Sequence, residues 1–252
     1  MPMVDDDHQD AVDYAKDDLS EDDFPKVKHA VKLVDVTRTY RLGKKEIEAL
    51  KRVNLEVALG DLVVISGRSG SGKTTLLNII GAIDLVTSGR LFVMDVPIND
   101  YDETFRSSFR LGNTGFIFQS YNLVSTLTAI ENVLFPMQLS AKSSDELETE
   151  AMALLERVEM SDRADHLPWQ LSSGEQQRVA IARAMANDPP IILADEPTAN
   201  LDGESGQMVR DLLLELNKEG KAVIIMTHDE RIIDQSGARR FRMESGELHD
   251  NV

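Results

Sequence analysis

Cysteine is absent from the 252 residues, which excludes disulfides and thiolate metal sites. Aromatic residues make up only 5%, and no apolar run approaches the roughly 18 to 20 residues that a membrane-spanning helix needs. The opening segment MPMVDDDHQD has neither the basic start nor the apolar stretch of a secretory signal. A cytoplasmic chain is therefore expected. Five histidines, at positions 8, 29, 166, 228 and 249, are too scattered to form a ligand set, so no structural metal is expected either. Positive charge is also short. A formal net charge of −17 argues against a nucleic-acid partner held by phosphate neutralisation.

What is present suffices for a folded core, because 42% of the residues are apolar and a chain of this length buries most of its apolar surface as one domain or two packed subdomains. The acids are unevenly spread. Ten of them, from Asp5 to Asp23, precede residue 24 against Lys16 alone. Residues 1–27 read as a disordered acidic tail ahead of a folded domain over 28–252.

From Ala30 onward, Val31, Leu33, Val34 and Val36, then Val53, Leu55 and Val57, nearly alternate around a turn at RLGKKE. This pattern predicts an antiparallel sheet. Three short continuous apolar runs follow, LVVIS at 62–66, IILA at 191–194 and AVIIM at 222–226. Such runs suit central strands of a parallel sheet covered on both faces. Helical spacing of Leu147, Ala151, Leu154, Leu155 and Val158 after Ser143 and Ser144, and the segment GEQQRVAIARAMAND stopping at Pro189 and Pro190, place helices between the strands. The expected fold is α/β, a mostly parallel sheet with an N-terminal antiparallel β subdomain and an inserted helical subdomain at about 120–175.

The segment GRSGSGKTT packs three glycines, a lysine and two threonines directly behind the run LVVIS. Gly67, Gly72, Lys73 and Thr74 satisfy G-x-x-x-x-G-K-[ST] between a strand and a helix, the phosphate-binding loop pattern. Bare backbone lets successive amides of Gly67, Arg68, Ser69, Gly70, Ser71, Gly72 and Thr75 face a polyphosphate, and the helix N-terminus adds partial positive charge. Lys73 can reach the β- and γ-phosphates, and the Thr74 hydroxyl can ligate Mg²⁺. Downstream, Asp195 and Glu196 end an apolar strand, where one carboxylate can meet Mg²⁺ and its neighbour can orient or deprotonate a water. His228 ends the third run in IIMTHDE, in register with the other strand ends.

With LSSGEQQRVAIARA at 171–184 between loop and acidic strand, the chain resembles an ATP-binding cassette (ABC) ATPase over about 30–250. That resemblance implies a P-loop NTPase core and further roles. Gln119 in GFIFQSYNL matches the glutamine that approaches Mg²⁺ and links to the helical subdomain. Leu201 and Asp202 match the D-loop, His228 the switch histidine, and Tyr40 the aromatic that stacks on adenine. Ser172, Ser173, Gly174 and Glu175 match the signature that closes over the nucleotide of a facing subunit. Ser173 stands where the family usually has glycine and Glu175 where it has glutamine. The extra Cβ and hydroxyl of Ser173 weaken the inference of competence. Glu175 suits the helix dipole.

The resemblance also implies ATP and Mg²⁺ as ligands, a head-to-tail homodimer in the ATP state, and integral membrane permease subunits as partners, which would hold the chain at the inner face of the membrane. GFIFQSYNLVSTLTAIENVLFPM and ADEPTANLD look most similar to the lipoprotein-release and macrolide-export ATPases and to a cell-division relative. Export, lipoprotein release and mechanotransmission are thus open, as are a signalling cassette that moves no solute, a nucleotide-sensing module without catalysis, and a DNA-repair or chromosome-organising ATPase. Compactness and acidity disfavour the last. Intact Glu196 and His228 disfavour the sensor. A docking helix is expected to contact Tyr121, Leu123, Leu127 and Phe135. Trp169 precedes the signature, near where the family meets its membrane subunits; local packing is its simpler account, and it stays outside the candidate site.

Overall fold

The computed structural model describes residues 27–250, apart from 44, 140–141 and 234–236 and the side chains of Glu230 and Ile233. Except for Val27, the expected acidic tail lies outside the described residues.

Two sheets organise the chain. The first joins β1 (Val31–Leu42), β2 (Lys45–Val57), β4 (Ser88–Val93) and β5 (Val96–Pro97) in the order β2-β1-β4-β5, all antiparallel. The second contains β3 (Leu62–Ser66), β6 (Thr114–Ile117), β7 (Ile191–Asp195), β8 (Ala222–Met226), β9 (Arg239–Glu244) and β10 (Glu247–Asp250) in the order β10-β9-β3-β8-β7-β6. Only β10 is antiparallel to its neighbour there.

Period-two geometry sends successive residues of β3, β7 and β8 to opposite faces, and both faces are covered. Val63, Ile65, Leu193, Ile224 and Met226 pack with the first sheet and with helix α1 (Lys73–Ile80). Leu62, Val64, Ile192, Ala194, Val223 and Ile225 pack with the helical side of the molecule. Burial on both faces is why these runs show no alternation. In the first sheet β1, paired with β2 on one side and β4 on the other, alternates instead: Val31, Leu33 and Val36 are buried, whereas Val34 is exposed.

On the helical side lie α3 (Ala129–Leu134), α4 (Ser144–Arg157), α5 (Ser173–Met185) and α6 (Gly203–Lys218), with α2 (Glu103–Asn113) leading into β6 and the short α7 (Glu230–Ile233) following β8. Ser143 caps α4 through a reciprocal pair with Glu146, as its position before the apolar stripe predicts. Two expectations need correction. The turn at RLGKKE is much shorter than expected, because β1 runs to Leu42 and β2 resumes at Lys45, cross-strand pairing extending to Leu42 opposite Lys45. Local packing does not account for Trp169, which is 74% exposed.

Candidate nucleotide site

The carboxyl ends of four adjacent strands meet along one edge of the parallel sheet. Register aligns Ile65 with Met226 and Met226 with Asp195, so the residues just beyond β3, β8 and β7 emerge side by side. Gln119 follows the end of β6 on the same edge. This is the crevice in which open α/β sheets bind their ligands.

Here the loop after β3 encloses a cavity of about 810 Å³, lined by Gly67, Arg68, Ser69, Gly70, Gly72, Lys73, Thr74 and Thr75 together with Gln119, Asp195, Glu196 and His228. Gly72 sits at φ 112 directly before α1, and a Cβ there would lie 2.6 Å from the Ala49 carbonyl oxygen, so only glycine fits. No side chain caps α1 and no acid stands in its first turn, which leaves amide donors and the positive end of the helix free for an anion.

The site's charged groups answer one another. Lys73, 8% exposed, donates through Nζ to the Gly67 carbonyl at 2.6 Å and to that of Arg68 at 3.3 Å, and lies 3.8 Å from Glu196 Oε1. Thr74 Oγ1 donates to Asp195 Oδ2 at 2.8 Å. Burial, reinforced by the neighbouring Glu196 and opposed by Thr74 and Lys73, holds the Asp195 carboxyl above the usual aspartate range. Glu196 takes a left-handed backbone, φ 46, pinned by its amide donating to Met226 O at 2.8 Å. Such strain in a non-glycine residue persists only where neighbours enforce it, and it concentrates at functional sites. The His228 amide donates to Glu196 Oε2 at 3.2 Å, and His228 Nδ1 lies 2.9 Å from the same oxygen.

Not every sequence-predicted residue reaches this cavity. Ser71 lines an adjoining cavity of about 850 Å³ with Arg242–Ser245, and its buried hydroxyl has no hydrogen-bond partner among the described residues. Tyr40 is outside the lining: its hydroxyl donates to Asp84 at 2.6 Å, and the Arg38 guanidinium stands 4.6 Å from its ring centre. Ser172, Ser173, Gly174 and Glu175 are also outside. Ser172 caps α5, accepting from Glu175 N at 3.3 Å while its own amide donates to Glu175 Oε2 at 2.8 Å. That bond from the Ser172 amide, outweighing burial, lowers the Glu175 carboxyl. Asp202 caps α6, accepting from Ser205 N at 2.8 Å. Sequence reasoning missed Ile47, Glu48, Ala49, Ser245 and Gly246 on the cavity wall. Only the glycine of the Ser245–Gly246 turn hinted at them.

A strand, a bare glycine loop, a buried lysine and a pair of acids on the next strand but one define a nucleotide-binding protein of the phosphate-loop class. The family model described as ABC transporter matches residues 50–199. The chain belongs to the ABC transporter family and is one of its ATP-binding, ATP-hydrolysing subunits. It is 46% identical over 223 residues to an ABC transporter ATP-binding protein of Methanocaldococcus jannaschii, MJ0796, covering 86% of this chain and 94% of that one. It is 41% identical over 216 residues to the lipoprotein-releasing system ATP-binding protein LolD of Idiomarina loihiensis, covering 85% and 94%. Among solved structures, the dimeric post-hydrolysis state of MJ0796 bound to ADP and Pi superposes with a TM-score of 0.82 at 44% identity, over 87% of this chain and 98% of that one.

Proposed function

We propose that this cavity holds Mg·ATP and that its hydrolysis drives closure of two facing copies, which membrane subunits convert into export, lipoprotein release or force transmission. One observation carries the reading: Lys73, Thr74, Gln119, Asp195, Glu196 and His228, drawn from four strand ends, line a single cavity. Backbone amides of the loop and Lys73 bind the phosphates. Oxygen donors from Thr74, Asp195 and Gln119 suit a hard divalent cation such as Mg²⁺, which when bound supplies charge neutralisation at the phosphate oxygens. Glu196 orients the attacking water and takes its proton, and His228 steadies the γ-phosphate and the Glu196 carboxylate.

The signature lies outside the cavity, on α5, so the resting chain carries half a site. A second copy in head-to-tail arrangement would bring its Ser172–Glu175 segment to this nucleotide; that two copies pair is supported by the dimeric ADP- and phosphate-bound relative. Glu196→Gln keeps the shape of the side chain and removes the base. Turnover is expected to drop by about 100-fold or more while ATP affinity stays, and ATP should then hold the variant as a dimer in size-exclusion chromatography. Undiminished phosphate release would reject Glu196.

No helix among the described residues is long and apolar enough to cross a membrane, so the chain would be held at the membrane through permease partners. An apolar cavity of about 210 Å³ lies where the segment after Gln119 meets α5, lined by Phe116, Phe118, Phe135 and Pro136 among others. Arg183 ties that segment down, donating to the Tyr121 and Asn122 carbonyls. Phe135 is 57% exposed, whereas Leu123 packs against the core. Phe135 is therefore the better probe of docking. Phe135→Glu should abolish co-purification with integral membrane proteins while leaving ATP binding intact; retained co-purification would rule out this groove.

A further inference from the structure

Asp229, immediately after His228, receives polar partners from three separate segments. Thr198, two residues beyond Glu196 and 7% exposed, donates through Oγ1 to Asp229 Oδ2 at 2.9 Å. Arg210, in the middle of α6 and 4% exposed, brings Nη1 to 3.6 Å from the same oxygen. Arg231 closes a fork on the carboxylate, with Nε and Nη2 each at 2.9 Å. The Asp229 amide also donates to the buried Thr227 hydroxyl at 3.0 Å.

Arg210 is an unusual residue for that place. Its Nη2 donates to Gln207 at 2.7 Å, but its buried Nη1 makes no hydrogen bond to the described residues, so Asp229, 3.6 Å away, is its counter-charge among them. Room for the guanidinium comes from Gly206, where a Cβ would lie 3.3 Å from Nη1. A buried cation is retained at a cost unless its anion is fixed beside it. The pairing therefore fixes Asp229 against α6 as firmly as it fixes Arg210.

His228 has little else to place it. Its side chain is 77% exposed and meets Glu196, and its amide bonds the same carboxylate. The position of this backbone segment thus decides whether His228 and Glu196 meet. The loop after Glu196 is tied in turn to the signature helix, since Gln177 donates to the Pro197 carbonyl at 2.8 Å.

We infer that Asp229, Arg210 and Thr198 form a positioning cluster that sets His228 against Glu196 for ATP hydrolysis. It links α6, which begins just after Asp202, to both strand-end residues, so a partner subunit pressing on the start of α6 would be felt at the reacting centre. The inference rests on the proposed roles of Glu196 and His228. Neither Arg210 nor Thr198 lines the nucleotide cavity, and their loss should leave ATP affinity unchanged.

The test measures kcat, KM and ATP affinity of the full-length chain with Mg·ATP for four variants. Arg210→Met, which keeps the side-chain length without the charge, should lower kcat by about 10- to 100-fold, the usual effect of small displacements in a catalytic array, with ATP affinity within about twofold. Arg210→Lys should recover most of that loss. Thr198→Val, a milder change, should lower kcat in the same direction and carries the test if Arg210→Met does not fold. His228→Ala is the reference. If it slows turnover while Arg210→Met and Thr198→Val keep the parent kcat, the cluster is overturned and the reading of His228 stands. Equal losses of affinity and kcat in Arg210→Met also overturn it. Undiminished turnover in His228→Ala removes the reading of His228 and this inference with it.

Discussion

Helix α1 starts at Lys73 behind a left-handed glycine, with no capping side chain and no acid in its first turn. Helix α5 starts at Ser173 behind Ser172, with a complete reciprocal cap between Ser172 and Glu175. Both ends have the same four orphan amides and the same partial positive charge. One chain thus leaves one helix end bare and closes the other on itself. The bare end belongs to the proposed nucleotide site that the chain builds alone, where an anionic ligand would replace the cap. The closed end belongs to the signature, whose proposed ligand sits on another subunit and whose helix must be stable without it. Gly174 adds to that rigidity, because a Cβ there would lie 2.5 Å from the Ser205 hydroxyl of α6.

The largest expected effect breaks the bare end. Lys73→Ala removes the one buried cation among the described residues that line the cavity, and loss of a charge-assisted contact of about 1.5–3 kcal/mol corresponds to a roughly 10- to 100-fold weaker ATP affinity by titration calorimetry. Tight binding retained would mean that the amides alone suffice. At the closed end, Ser172→Ala should cost about 1 kcal/mol of stability in urea denaturation, the usual value of a lost N-cap, with no change in ATP affinity of the isolated chain. An altered affinity would place the signature beside the chain's own nucleotide.

The smallest effect concerns Asp195 in nucleotide-free protein. Its folded pKa is raised, so folding disfavours its charged form. That sign means stability is full below the unfolded value of about 3.9 and declines as pH rises through the folded value. Asp195→Asn, spared this loss, should melt slightly higher than the parent at pH 7, by about 1 °C for a small gain in a chain of this size. The gap should vanish near pH 3.5. Addition of Mg·ATP should reverse the order, because the carboxylate then has a cation to meet. A parent more stable than the variant at pH 7 without nucleotide would show that the Thr74 bond outweighs burial.

Much of the architecture was legible because it is written in consecutive residues. The runs at 62–66, 191–194 and 222–226 announced strands buried on both faces, and they became β3, β7 and β8. The cap at Ser143 was legible because capping is a matter of three or four neighbouring residues. Leu123, expected in a docking groove, is partly buried against the core, a contact that helical spacing does not reveal, because spacing shows which residues share a face and not what covers that face. Trp169 deceived for the converse reason, since large aromatic residues usually find a packing partner.

By itself the sequence determined the phosphate loop. Its function resides in the backbone path of Gly67 to Thr75 and in the residue types along it, so nine adjacent positions suffice to specify it. The acid pair at 195–196 and the histidine at 228 were likewise fixed in kind by their place at strand ends. Only the tertiary structure decided what surrounds them. The turn at Ser245 and Gly246 reaches the loop because Gly246 donates to Ser71 O and accepts from Lys51 N, across separations that no local pattern encodes. Arg210 meets Asp229 because α6 packs beside the end of β8, and Tyr40 spends its hydroxyl on Asp84 because β1 runs past the end of α1. Such contacts follow from how sheets and helices stack, a property of distant segments buried together, and they determine which of the available charges face the cavity and which hold its wall in place.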